Sequence, residues 1–136
     1  MVTGVEDVKA DLIRRLYNVR LAAKLEARKQ GEGVAGAMRY FAPHKSGALR
    51  RSIRVEDIDS VSTRSGDLDF IGVKVKAGDS STVVTNSRGQ RFQNARLQEY
   101  GTKKRPATPY FYSTWRANRS RVKGAITRAI RKTWAQ

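Results

Sequence analysis

Asp67 and Asp69 stand just ahead of Lys74 and Lys76, and no other group in the chain comes nearer to a catalytic set. In a metal-dependent nuclease, two carboxylates hold a divalent cation and a lysine steadies the attacking water. Here the acids flank a Ser65-Gly66-Asp67 turn, and the lysines alternate with Val73 and Val75. That alternation marks a half-buried strand, so the group reads as a hairpin with solvated charges. The only histidine, His44, sits in a proline-containing turn. It lacks companions at metal-ligand spacing, and no serine carries an elbow motif that His44 could serve as base. With no cysteine there is no disulfide, no thiolate zinc site and no cysteine nucleophile. Gly31, Gly33 and Gly36 follow a helical pattern, and no Gly-Lys-Ser/Thr comes after them, so they do not form a phosphate loop. No catalytic residue, metal ligand or cofactor is expected, and the chain reads as a non-enzyme.

Binding chemistry is better represented. Lys103, Lys104 and Arg105 are consecutive cations followed by Pro106, Ala107, Thr108 and Pro109. The prolines stiffen the loop and lower the entropy lost on docking, so the loop suits a contact surface. Tyr110, Phe111, Tyr112 and Trp115 come next. Aromatics among cations can stack nucleic-acid bases. Aromatics that follow a proline at a helix start also anchor the helix. Anchoring is the reading for Phe111 and Trp115, while Tyr110 and Tyr112 are open to both. Arg88 lies within a second exposed-looking, mobile loop, Asn86 to Gln90, and Arg91 follows it.

Charge points the same way. The net charge is +16, and residues 91–136 hold twelve Lys and Arg against a single acid, Glu99. Such asymmetry favours a polyanion or an acidic protein surface as partner. Glu99 is expected to pair with a cation, in its own subunit or the next. No apolar run approaches the length of a membrane span. The first residues lack the basic-then-apolar order of a signal peptide, so assembly in the cytoplasm is expected.

The elements that must position these residues follow from periodicity. Val5, Val8, Leu12, Leu16, Val19 and Ala23 recur at helical steps, with Thr3 and Glu6 at capping-box spacing. Gly31 and Gly33 suggest a break or weak joint, Val34 to Phe41 resumes the helix, and Pro43 ends it. Strands are expected at Ile53 to Val61, Leu68 to Ala77, Ser80 to Thr85, and at the end of Phe92 to Tyr100. Val122, Ile126, Ile130 and Trp134 give a second helix its stripe. The fold class is α+β, one domain over 1–136. It comprises a long N-terminal helix over about 5–41, an antiparallel sheet of about four strands over about 49–102, and a C-terminal helix over about 110–134 packed on the sheet. Leu49, Ile53, Phe111 and Trp115 are expected to close the core.

Two motifs carry a resemblance. The first is Ala42-Pro43-His44-Lys45-Ser46-Gly47-Ala48-Leu49-Arg50-Arg51-Ser52-Ile53. The second is Glu99-Tyr100-Gly101-Thr102 followed by Ala107-Thr108-Pro109-Tyr110-Phe111. In order, spacing and flanking helices the chain resembles the tail-completion, or head–tail joining, proteins of long-tailed double-stranded DNA bacteriophages and prophages. Tyr110 takes the place of a usual phenylalanine, and Ser80 to Arg96 matches no pattern of that family.

The resemblance implies a structural virion protein forming a ring, expected to be hexameric, between connector and tail tube. Its partners would be its own copies, the connector and tail-tube proteins and, transiently, packaged DNA, with no membrane. A tail terminator in the neighbouring layer is an equal possibility. Lys103, Lys104, Arg105, Pro106, Arg88, Arg91 and Glu99 are the candidate contacts. Gly47 and Gly101 are expected to adopt backbone angles that other residues resist. The alternative is a small basic nucleic-acid-binding protein.

Overall fold

A computed structural model describes residues 3–136. The side chain of Thr3, expected to cap the first helix with Glu6, lies outside that description. Helix α1 runs unbroken over Thr3–Phe41 and would be about 58 Å long. A short helix α2 (Ala48–Ser52) leads into the antiparallel hairpin β1 (Arg54–Thr63) and β2 (Gly66–Lys76). A 3-10 turn at Ser80–Thr82 precedes β3 (Val83–Thr85), which pairs with β4 (Arg91–Gln93). Helix α3 (Asn94–Tyr100) and helix α4 (Tyr112–Trp134) complete the chain.

The α+β class and the two long helices agree with the sequence. The sheet does not. Four strands are present, but as two separate two-stranded ribbons. Asn94–Tyr100 is a helix rather than the end of a strand. Gln93 caps it by accepting a hydrogen bond from the Ala95 amide at 3.4 Å. Leu49 lies in α2, so extended structure starts only at Arg54. Of Ser80 to Thr85, only the last three residues are strand.

The glycines of α1 are not a joint. Gly31 is buried where the helix presses on the hairpin: an added Cβ would sit 2.7 Å from Val73 Cγ2 and 3.3 Å from Val55 Cγ1. Val34, Ala35 and Met38 continue that face into the core, with Leu49, Ile53, Val55, Ala95, Tyr110 and Val122. Lys24 and Arg28 hold the hairpin from the side, against Asp59 and Asp57.

Helix α4 lies along α1 in the opposite direction, not on the sheet. Arg121 donates to Gln30 Oε1 at 2.9 Å, and Arg15 donates to the Trp134 carbonyl at 3.2 Å. Residues 3–14 of α1 therefore project past α4 by about 18 Å. Their face of Val5, Val8 and Leu12 is uncovered, and so are Leu16, Leu21 and Leu25 beyond it. Trp115, expected in the core, is 41% exposed because it faces the gap between α4 and β2 rather than α1.

Gly33 is exposed and an added Cβ there meets nothing. Both glycines cost helix propensity relative to alanine, about 1 kcal/mol each. Gly33→Ala is expected to raise stability by up to about 1 kcal/mol. Gly31→Ala is expected to lower it by about 1–2 kcal/mol, because Val73 is stiff and cannot yield. Urea midpoints of the two variants would show the opposite signs.

Candidate partner interface

The segment Glu99 to Phe111 is built around one carboxylate. Glu99 is 8% exposed, in the last turn of α3. Its Oε2 accepts the amides of Tyr110 and Phe111, each at 2.9 Å, and its Oε1 accepts the amide of Tyr112 at 3.0 Å. These amides open α4, where Phe111 occupies the cap position and has no side-chain oxygen to offer. A helix start leaves several N–H groups without intrahelical partners, and its dipole favours negative charge there. Glu99 supplies both needs from another helix. No cation pairs with it among the described residues, so within the subunit the expected ion pair is replaced by this cap.

Tyr110 makes the second pin. Its ring is 1% exposed and its hydroxyl donates to the Ala95 carbonyl at 3.2 Å, inside α3. Burial, followed by the nearby Glu99 charge, pushes the phenol far above the ordinary tyrosine range. Of the two open aromatics, Tyr110 is thus an anchor, and half-buried Phe111 packs against the same core. Tyr112 and Tyr100 are 47% and 63% exposed, with ring centroids 6.4 Å apart at the foot of the loop.

The cationic loop between these pins is ordered by its own backbone. Gly101 closes α3 with φ 73°, and its amide donates to the Leu97 carbonyl at 2.8 Å. An added Cβ there would meet Ala107 N at 2.6 Å, so both the angle and the space require glycine. The Thr102 amide donates to the Arg105 carbonyl at 2.9 Å, while Thr102 Oγ1 accepts the Lys104 and Arg105 amides. Thr108 returns to α3, its amide donating to the Gln98 carbonyl at 2.8 Å. Thr102 to Pro109, including Lys103, Lys104, Arg105, Pro106 and Ala107, are all exposed. The three cations have no carboxylate partner among the described residues. They are displayed on a fixed frame.

The first motif is a structural joint. Pro43 follows the end of α1 and Gly47, at φ 78°, turns the chain into α2. Ser46 Oγ accepts the Ala48 amide at 3.3 Å. Ser52 is buried, donating to the Leu49 carbonyl at 2.6 Å and accepting the Gly78 amide at 2.9 Å. Arg39 donates twice to the Ile53 carbonyl, at 2.7 and 3.1 Å. Leu49 and Ile53 are buried as expected. This motif seats the hairpin on α1, with Lys45 and Arg51 exposed on its outer side.

Arg88, in the β3–β4 turn, and Arg91, at the start of β4, are separated along the chain from the cationic loop by α3. Asn86 to Gln90, expected to be mobile, is a hydrogen-bonded hairpin turn in which Asn86 Oδ1 accepts the Arg88 and Gln90 amides, each at 2.9 Å. Asp67 and Asp69 stand at the exposed tip of the long hairpin, and Lys76 is ion-paired to Glu56 at 2.7 Å near its base. Five residues of strand, about 16 Å, separate Asp69 from Lys74, too far for one metal-bound water.

Sequence reasoning missed a groove of about 420 Å³ between β2 and α4, floored by α1 and walled by Phe70, Val73, Trp115 and Ile126. Its signal was the unpaired apolar step at Phe70 and Ile71, where the hairpin register shifts.

Glu99→Gln keeps one acceptor but turns an N–H toward the α4 amides. It is expected to cost about 1–2 kcal/mol, and Glu99→Ala about 2–4 kcal/mol, in chemical denaturation. For Tyr110, the raised folded value means that only the unfolded chain ionises near pH 10. Stability is therefore full below about pH 10 and falls above it. Tyr110→Phe should flatten that fall while costing about 1 kcal/mol at neutral pH, read from denaturation curves at stepped pH.

No helix among the described residues is long and apolar enough to cross a membrane. No protein-family model, curated protein or solved structure matches this chain.

Proposed function

We propose that this chain is a non-catalytic structural subunit that closes into a ring at the head–tail junction of a long-tailed bacteriophage, as tail-completion or tail-terminator protein, joining connector to tail tube. One observation carries the self-assembly. The chain exposes 10312 Å², whereas a compact monomer of its 15.3 kDa would expose about 7100 Å². The excess, about 3200 Å², is of the size that obligate subunits bury. Each aliphatic side chain covered in assembly contributes about 1.5–3 kcal/mol when burial is complete. The two motifs supply the phage assignment, because their order, spacing and flanking helices resemble that family. In the structure they act as the two joints of the fold.

Lys103, Lys104 and Arg105 are the contact offered to a neighbouring layer. A lumen lined with such cations would retard the passing DNA, so they face acidic protein rings in this reading. Replacing all three by alanine is expected to leave the melting temperature within a few degrees of wild type, since they make no ion pair, and to block joining of heads to tails in a complementation assay. Normal yields of infectious particles from that variant would sink the assignment.

A nucleic-acid-binding role is supported by one separate feature. Helix α4 carries Arg116, Arg119, Arg121, Lys123, Arg128, Arg131 and Lys132 and no acid. Tight binding to free DNA or RNA that weakens steeply with salt, by a protein that ignores purified tails, would favour it.

A further inference from the structure

We infer that the projecting start of α1 from one copy seats in the groove between β2 and α4 of the next copy. This rests on the ring reading and names the contact that builds the ring.

The two surfaces match in chemistry. Val5, Val8, Leu12 and Leu16 lie at three- and four-residue steps on one face of α1, and are 59%, 60%, 46% and 59% exposed. The groove is mostly apolar, with Tyr112 and Trp115 as its polar-tipped members, and opens because α4 rests on α1 rather than on β2. It continues over the outer side of α4 past Ser120, where Arg119 and Lys123 line it.

Charge selects the occupant. Residues 3–12 hold Glu6, Asp7 and Asp11 against Lys9 alone, in a chain with 28 Lys and Arg and 12 acids. Asp11 is held by Arg14 and Arg15, but Glu6 and Asp7 have no cation partner among the described residues. An acid-flanked apolar helix is therefore offered to a basic-rimmed apolar groove. A free α1 start repels neither Arg119 nor Lys123, whereas the cationic α4 of another copy would.

Geometry forbids the contact within one chain. The groove's α4 wall passes Gln30, which is bound by Arg121. Val8 is 22 residues away along a continuous helix, about 33 Å. The contact is thus head-to-tail between copies, the class of interface that closes into rings. It draws on the same excess surface, divided between a donated helix and a receiving groove.

The absence of cysteine makes a direct test possible. Val8→Cys and Ser120→Cys are both at exposed positions, so neither threatens the core. The double variant, treated with a short bismaleimide, is expected to give a ladder of covalent multimers on a denaturing gel. A mixture of the two single variants should give only dimers. Glu6→Lys with Asp7→Lys should weaken the ladder at least several-fold, and Arg119→Glu with Lys123→Glu added should restore it. Light scattering on the untreated protein separates the two claims. A closed oligomer without any Val8–Ser120 crosslink overturns this contact and leaves the ring standing. Val8–Val8 crosslinks in the single variant also overturn it, in favour of helix-to-helix pairing. A monomer at all concentrations, uncrosslinked even on purified tails, overturns both.

Discussion

The Glu99 carboxylate is the constraint on which the rest of the interface depends. It accepts three successive amides at the start of α4 from a position on α3. One side chain thereby fixes the angle between two helices and closes the loop joining them. Had the cap been a serine at position 111, its hydroxyl would satisfy one amide of the helix start, and nothing would tie α4 to α3. The buried Tyr110 hydroxyl on Ala95 adds a second tie a few residues away. Two ties resist rotation where one would allow it. The Lys103–Arg105 display inherits that rigidity, and Gly101 provides the space in which the loop folds back over α3.

Like charges in one short loop repel, and a flexible loop would relax by spreading them. Here Thr102 gathers the Lys104 and Arg105 amides, and Thr108 returns the chain to Gln98. The repulsion is held in place by backbone bonds anchored in α3. Such a surface loses little entropy on docking and gains from an acidic partner that relieves the repulsion. The cap and the loop are therefore one device, in which a buried anion orders exposed cations without neutralising them.

What the sequence made legible depended on whether a residue's role was local. Helical stripes, the Ser65–Gly66 turn and the positive φ at Gly47 and Gly101 are set by near neighbours, and these were readable. Leu49 and Ile53 were readable as core, since apolar residues beside a tight turn have few other places to go. Asn94–Tyr100 was not, because its seven residues are too few to show a period and its cap is a glutamine. Gly31 looked like a weak point because its reason lies in Val73 and Val55, more than twenty residues away. Glu99 stood out by charge, but its partners are backbone amides, which no residue type reveals. The placement of Trp115 turned on whether α4 covers the sheet or α1. Both have apolar faces, so sequence pattern alone could not decide.

That choice of partner has a consequence for the whole molecule. Once α4 lies on α1, no element among the described residues covers the first turns of α1 or the side of β2 that faces the groove. Core formation is confined to the C-terminal half of α1, α2, the hairpin base, α3 and the first half of α4. The N-terminal turns of α1 then behave as an isolated helix, which in water is marginal at such lengths. They are continuous with a packed helix, so nucleation costs nothing, but their apolar face still lacks a partner. With +16 charges on the chain, non-specific association through that face is opposed by repulsion. The acidic first turns are the exception, and there association is opposed least. Apolar area supplies the drive to assemble, and the distribution of charge decides which two surfaces meet.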